Sequence, residues 1–141
     1  MSAIILSMQE PSIFTKIING EIPCHKIYED ERVIAFLTNH PLVEGHTLVV
    51  PKKQINQIWD LESDDYIYLW ETTRKIALHL RKVMNLERVG VVIKGIEVPH
   101  THIHLIPMVS EQIHVNFDPE PAPALVDNDT LSKVAERIRL N

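Results

Sequence analysis

Three histidines alternate with other residues in the run His100-Thr101-His102-Ile103-His104. Successive side chains of a strand point to opposite faces, so the three imidazoles should share one face, which we expect to be exposed to solvent and reactive. The residues between them should pack on the other face. A strand that needed only a polar outer face would more often carry Thr, Lys or Glu, so the pattern favours chemistry over a passive surface.

Two kinds of chemistry suit such a row of imidazoles: nucleophilic or acid–base catalysis, and metal binding. Strand geometry disfavours one metal ion bound by all three, because His100 and His104 are separated by roughly 13 Å of backbone and a zinc–nitrogen bond is about 2.0 Å. A two-histidine site would need further ligands, yet the sequence contains no Cys-x-x-Cys and no His-x-x-x-His on a predicted helix. We therefore predict a site without a metal ion or other cofactor.

The elements around this row predict an α+β fold, a five-stranded antiparallel sheet with a long helix packed on one face. Short joins between strands favour the antiparallel arrangement, and five strands need a helix to complete a core. The predicted elements are a short helix capped by Ser12 and ended by Gly20, strands at 26–29, 32–37, 46–50, 89–94 and 100–106, a long helix at about 63–84, and a final helix.

Apolar residues of the two larger helices recur at spacings of three and four, which is typical of a helix with one face in a core. We predict that the buried face is formed in the long helix by Ile67, Trp70, Ile76 or Ala77, Leu80 and Val83, and in the final helix by Leu131, Val134, Ala135 and Ile138.

The 141 residues, 45% of them hydrophobic, suffice for one compact domain. We divide the chain into an N-terminal tail at 1–11, a central domain at 12–118, and a proline-rich connector with the C-terminal helix at 119–141. The net charge of −5 disfavours nucleic-acid binding, and the apolar run at 3–6 is too short for a membrane span. With Cys24 as the single cysteine, no intramolecular disulfide forms, and we expect a cytoplasmic location.

Several blocks of the sequence resemble the histidine triad superfamily and follow the order of that family. They are Phe14 to Pro23, Tyr28-Glu29-Asp30, Ala35-Phe36, Gly45-His46-Thr47-Leu48-Val49-Val50-Pro51-Lys52 and His100 to Pro107. The chain is most similar to the Hint-like and diadenosine-polyphosphate-hydrolase-like branch. That resemblance implies a homodimer whose substrate is a nucleotide-like small molecule: a phosphoramidate, a nucleotidyl anhydride or a dinucleoside polyphosphate.

The resemblance also implies a role for each histidine of the motifs. His102 would attack the α-phosphorus and form a nucleotidyl-histidine intermediate, which water then hydrolyses. His104 would donate to a phosphate oxygen as negative charge develops, while His100 and His46 would orient the nucleophile and balance its protons. We interpret the histidines outside these motifs as surface or packing residues: His25, His40, His79 and His114.

The chain departs from the family pattern at three places. Ser12 and Thr15 stand where Hint-like members carry the Cys-x-x-Cys of a zinc site, so we expect no structural zinc. Thr38 stands where relatives carry an acidic residue that binds ribose hydroxyls, and with Asn39 it can still form hydrogen bonds to substrate.

The third departure lies just before the triad, where Ile93 and Ile96 occupy the positions of two amide side chains. Lys94 and Glu97 are then the candidates for contact with the substrate or its leaving group. This loss of amides favours an alternative function, in which the chain is a catalytically weak nucleotide-binding or interaction module of the same fold. The intact triad favours the enzyme.

Overall fold

The computed structural model describes residues 9–109 and 121–141. Outside the described residues lie most of the N-terminal tail, His114 and the first residues of the proline-rich connector. The elements are α1 (Ile13–Ile18), β1 (Lys26–Glu29), β2 (Val33–Leu37), β3 (Thr47–Pro51), a 3-10 turn (Ile58–Asp60), α2 (Ser63–Val83), β4 (Val89–Val92), β5 (Ile103–Pro107) and α3 (Asn128–Ile138). Among the described residues, no helix combines the length and the apolar character that a membrane crossing requires.

The five strands form one sheet in the order β1-β2-β3-β5-β4, and every neighbouring pair is antiparallel. The predicted α+β fold class is therefore confirmed. In the turn between β1 and β2, the Asp30 carboxylate accepts hydrogen bonds from the backbone N–H groups of Arg32 (2.7 Å) and Val33 (2.9 Å). Such a side-chain turn closes the first hairpin and sets its register.

Alternation along the strands separates two apolar cores on the two faces of the sheet. On one face Ala35, Val49 and Ile103 pack with Leu69 of α2 and Val134 of α3 in the larger core. On the other face a smaller core consists of Ile34, Phe36, Leu48, Val50 and, from α1, Phe14. The short helix therefore covers the face to which the even-numbered residues of β2 and β3 point.

The short helix begins as predicted. Ser12 has an extended backbone, and its hydroxyl accepts a hydrogen bond from the backbone N–H of Thr15, which makes it the N-cap. Such a cap contributes about 1 kcal/mol because it satisfies one of the unpaired donors of the first turn. Gly20 follows the helix with φ of +80°, a left-handed conformation that glycine adopts without strain.

The predicted buried face of the long helix was wrong in part. Ile67 is 59% exposed and Val83 41% exposed, whereas Leu69, Ile76 and Leu80 are fully buried. The true face also contains threonines, which the apolar pattern did not count. The hydroxyl of Thr73 donates to the carbonyl of Leu69 (2.7 Å), so this polar group is satisfied inside the core.

The last strand begins at Ile103, whereas we predicted a strand from His100. The backbone of Thr101, in the segment just before it, is bonded to the loop after β3. The backbone N–H and the hydroxyl of Thr101 both donate to the carbonyl of Ile55, each at 2.7 Å. His100 and His102 therefore precede β5, and only His104 lies within it.

All four predicted apolar residues of the final helix α3 are buried. Three histidines from other parts of the fold bond to this C-terminal segment. His79 bonds to the carbonyl oxygens of Ile138 and Arg139, His25 to the Asn128 side chain, and His40 to the carbonyl of Pro123. Their contacts agree with our interpretation of these histidines as packing residues.

Candidate active site

His46 and His104 meet because their strands are neighbours. His46 lies directly before β3, and within the β3–β5 pair Leu48 is the partner of His104. Gly45 precedes it with φ of +89°, and a Cβ there would lie 3.0 Å from atoms of the Met84 side chain. This turn therefore requires glycine, and it delivers His46 to the face that carries the triad.

The hydrogen bonds of His46 fix the direction of its contact with His104. The backbone N–H of Leu42 donates to Nδ1 of His46 (3.1 Å), so the proton of this neutral ring is on Nε2. That Nε2–H donates to Nδ1 of His104 (3.0 Å), which leaves the proton of His104 on its own Nε2. Nε2 of His104 is buried and has no hydrogen-bond partner among the residues that the structure describes.

In the ring of His102 the proton is on Nδ1 and not on Nε2. Its Nδ1 lies 2.8 Å from the carbonyl oxygen of His100, and a carbonyl can only accept, so Nδ1 carries the proton. The lone pair of the ring is then on Nε2. The ring centroids of His102 and His104 are 5.1 Å apart. The two imidazoles therefore place a nucleophilic nitrogen and an N–H donor side by side.

The expected solvent exposure of the triad was wrong. His100 is fully buried and His102 is 4% exposed. Phe14 of α1 packs edge-on against both rings, with centroid distances of 5.8 Å and 5.0 Å. The sheet face that we predicted to be wet is therefore covered by this short helix at His100 and His102.

Burial lowers the pKa of all four histidines. The pKa of His46 falls to about 4 through desolvation alone. The pKa of His104 falls to about 3, first through desolvation and then through repulsion from His102 and His46. Desolvation is also the main reason why the pKa values of His100 and His102 are lowered. The four rings are therefore uncharged near neutral pH, as a nucleophilic imidazole must be.

Lys94 and Glu97 lie beside the triad. Gly95, with φ of +73°, turns the chain between them, and their side chains form an ion pair of 2.9 Å. The Lys94 side chain is 12% exposed and that of Glu97 62% exposed. The hydrogen bond from Lys94 is the main reason why the pKa of Glu97 is lowered. Both charges act electrostatically on His102 and His104.

Thr38 and Asn39 lie at another part of the site. Thr38 and His46 line the same cavity of about 300 Å³, which the loop after β2 and the helix α3 enclose. Asn39 is exposed, and its carbonyl accepts a hydrogen bond from the backbone N–H of Val126 (2.9 Å). The structure therefore brings Thr38 to His46 and leaves Asn39 at the rim.

Ser12 and Thr15 occupy the positions at which Hint-like members carry zinc-binding cysteines, and here they belong to a cluster of neutral groups. Ser12, Thr15 and His100 come together there with Gln54, a residue that the sequence analysis did not single out. Hydroxyls and an amide are poor substitutes for thiolate ligands of zinc, and these groups already bond to one another. Among residues 9–109 and 121–141, no group of three or more His, Cys, Asp or Glu could hold a metal ion. The residues present do not fit the zinc that the Hint-like branch carries.

No local signal marks Gln54, because it lies 39 residues from Thr15 and follows a lysine pair typical of a surface loop. The pairing of β3 with β5 explains its position. Pro51 ends β3 beside the segment that carries His100, and the chain after Pro51 then turns toward the start of α1. Only the sheet topology brings this amide to the site.

Comparison with known proteins places the chain in a family. The HIT domain model matches residues 19–111. A HIT-like protein of Methanocaldococcus jannaschii is 41% identical over 99 residues, which are 67% of this chain and 77% of that protein. A HIT-like protein of Bartonella henselae, involved in cell-cycle regulation, has a crystal structure that is similar with a TM-score of 0.80 and 30% identity over 93% of this chain and 96% of its own.

A solved HIT family hydrolase of Legionella pneumophila is also similar, with a TM-score of 0.60 and 31% identity, over 70% of this chain and 93% of its own. The matched domain includes His46 and the whole triad. The chain therefore belongs to the HIT family, the histidine triad superfamily that its motifs resemble.

Proposed function

We propose that the protein is a hydrolase or nucleotidyl transferase that acts on a nucleotide-like phosphoramidate, anhydride or dinucleoside polyphosphate through a covalent nucleotidyl-His102 intermediate. One observation carries the proposal. His102 offers a lone pair on Nε2, and the neighbouring His104 offers a buried N–H without a partner among the described residues. A buried donor without a partner is costly, and a phosphate oxygen would satisfy it.

The two nitrogens suit the two steps of a phosphoryl substitution. In the first step the Nε2 lone pair of His102 forms a bond to the α-phosphorus, and the leaving group departs with its bonding pair and takes a proton from water. In the second step a water oxygen attacks phosphorus, the N–P bond breaks, and its electron pair returns to Nε2 while a proton is released. His104 Nε2–H stabilises the charge on a phosphate oxygen in both steps.

The polar residues around the triad have complementary roles in this proposal. Lys94 supplies positive charge to the phosphates from a largely buried position. Thr38 and Asn39 bind the nucleoside, and Glu97 contacts the leaving group at the exposed mouth. The reaction is metal-free and cytoplasmic in this proposal, which the neutral donors around His100 and the single cysteine favour.

The test is turnover of adenosine and guanosine phosphoramidates, dinucleoside polyphosphates and simple phosphodiesters, each with and without a chelator. We expect turnover of one nucleotide class, unchanged by chelator. A rapid quench in alkaline denaturant, in which the N–P bond to histidine survives, should trap a protein whose mass has increased by one nucleotidyl group. His102→Gln should lose several orders of magnitude in turnover and the mass increase. A matched control is His79→Gln, since His79 also bonds to backbone carbonyls but lies away from the site.

Retained turnover in a folded His102→Gln protein would contradict the mechanism.

The second candidate function is a nucleotide-binding or interaction module with little activity. The observation that favours it is Ile96, which is 70% exposed near the mouth and offers no polar group where relatives carry an amide. Nucleotide binding without turnover and without a trapped intermediate would favour the module.

A further inference from the structure

A hydrogen-bond network connects Nδ1 of His100 to the start of α1. The Ser12 hydroxyl lies 2.7 Å from this nitrogen. Gln54 Oε1 accepts from both the Thr15 hydroxyl (2.6 Å) and the backbone N–H of Ser12 (2.8 Å). The amide group of Gln54 donates in turn to the carbonyl of Glu10 (2.8 Å). These bonds join the start of α1 to the segment before β5.

The protons of this set can be assigned one by one. Nε2 of His100 lies 2.7 Å from the carbonyl oxygen of Pro51, so Nε2 carries the proton of the ring. The hydroxyl proton of Thr15 is used by Gln54. Nδ1 of the neutral ring must then accept, and the Ser12 hydroxyl must donate to it. The Ser12 oxygen itself accepts from the backbone N–H of Thr15.

His100 is connected to the nucleophile through its own main chain. Its carbonyl accepts the Nδ1 proton of His102, which leaves the lone pair of that ring on Nε2. Its backbone N–H donates to the carbonyl of Val98 (2.8 Å). The ring of His100, held at both nitrogens, therefore anchors the peptide that orients His102.

We propose that Ser12, held by Thr15 and Gln54, is a positioning residue: its hydroxyl keeps His100 in the Nε2–H tautomer on Pro51 and thereby fixes the carbonyl to which His102 donates. The inference rests on the proposed function for the role of His102. The state of the His100 ring, however, can be measured without any substrate.

The experiment compares Ser12→Ala with Asp127→Ala. Both changes remove a helix N-cap, because Asp127 accepts from the backbone N–H of Thr130 at the start of α3, but only the first touches His100. The ring nitrogens are observed by ¹⁵N NMR on histidine-labelled protein, with His100→Asn to assign the signal. Steady-state kinetics give kcat and KM separately on the best substrate of the turnover screen.

In the unmodified protein we expect a protonated Nε2 and an unprotonated Nδ1 on His100. Ser12→Ala should disturb this single tautomer and lower kcat by about tenfold, the effect of one lost hydrogen bond, with little change in KM. Ser12→Thr, which keeps a hydroxyl, should restore both. Asp127→Ala should change neither. Thr15→Val provides a second variant with the same expected direction if Ser12→Ala does not fold.

A protonated Nδ1 on His100 in the unmodified protein would overturn the inference, and so would equal effects of Ser12→Ala and Asp127→Ala on kcat. If no nucleotide substrate turns over, the proposed function fails, and the NMR spectra still decide whether Ser12 sets the tautomer. If turnover is found and Ser12→Ala leaves both the tautomer and kcat unchanged, the inference fails while the proposed function stands.

Discussion

Nε2 of His46 lies 3.0 Å from Nδ1 of His104 and donates its proton to it. The donor that presents His46 in this orientation is a backbone N–H, that of Leu42. The backbone N–H of Leu42 therefore determines, through the ring of His46, that the proton of His104 is on Nε2. This relationship makes the two histidines one hydrogen-bonded unit.

The first prediction is that this unit behaves non-additively. His104→Ala should lower kcat by about 10²-fold to 10³-fold, as expected when a donor to a developing oxyanion is removed. His46→Ala should lower it less, because His104 remains but can place its proton on either nitrogen. The double variant should be no worse than His104→Ala alone. Steady-state kinetics of the three variants, each checked for folding by circular dichroism, form a complete cycle.

If the fall in kcat of the double variant equals the product of the falls in the two single variants, His46 acts independently of His104. His40→Ala is a suitable control, since the ring of His40 bonds to the carbonyl of Pro123 in the C-terminal segment.

The second prediction concerns stability against pH. Burial lowers the pKa of His46 to about 4 and that of His104 to about 3, whereas unfolded imidazoles titrate near 6.5. Between pH 6.5 and about 4, the unfolded state binds more protons than the folded state, so the free energy of unfolding must decrease as the pH falls. Above pH 6.5 both states are neutral at these positions, and their contribution is constant.

Urea unfolding at pH 7.5, 6, 5 and 4.5 measures this dependence. We expect a loss on the order of a few kcal/mol, since each unit of pKa shift corresponds to about 1.4 kcal/mol. The double variant His46→Gln/His104→Gln should lose much of the slope. An unchanged slope in that variant would show that other groups cause it.

Residues that follow simple periodicity could be predicted from the sequence. The capping hydroxyl of Ser12, the buried face of α3 and the alternation that puts Ile103 in the core all follow from local spacing. The exposure of the triad could not, because Phe14 covers it from a helix about 90 residues earlier in the chain. Long-range contacts, and polar groups that are satisfied inside a core, leave no local pattern.

The same distinction holds for the site. A motif identified His46 and the triad as candidates, but the position of each ring proton depends on backbone partners. The N–H of Leu42 could be supplied by any residue except proline, and the carbonyl of Pro51 by any residue. Gln54 was missed for this reason too, since its role depends on its distance from Ser12 and not on its neighbours in the sequence.

The third prediction is self-association. The family resemblance implies a homodimer, and β4 is an edge strand of the sheet with Val91 47% exposed. On α2, Ile67 and Leu78 are 59% and 49% exposed. Edge strands and exposed apolar side chains are suited to an interface. We expect a species of two chains in sedimentation velocity at micromolar concentration, and Val91→Lys should shift it to one chain.

Leu125→Lys is the matched control, because Leu125 is also exposed but lies on the segment before α3. A one-chain species of the unmodified protein at micromolar concentration would count against self-association. Dissociation by both variants would indicate a general effect of added charge and not an interface at β4.

The fourth prediction concerns Glu97, whose carboxylate pairs with Lys94 and is largely exposed at the mouth of the site. An ionised carboxylate facing a bound phosphate would repel it, so Glu97 is better suited to a leaving group that carries an amine. Glu97→Ser should therefore lower kcat/KM for a substrate with a basic leaving group by roughly twofold to fivefold, the size of an exposed ion pair. A neutral substrate of similar size should change little.

The control is Glu87→Ser, since Glu87 is an exposed carboxylate that pairs only weakly with Arg88, at 3.8 Å. Paired kcat/KM measurements on the two substrates separate the possible outcomes. No change on either substrate would mean that Glu97 points away from the bound leaving group. A large and equal gain on both would contradict recognition as well as an outward orientation, because the carboxylate would then act only as an impediment to every phosphate substrate.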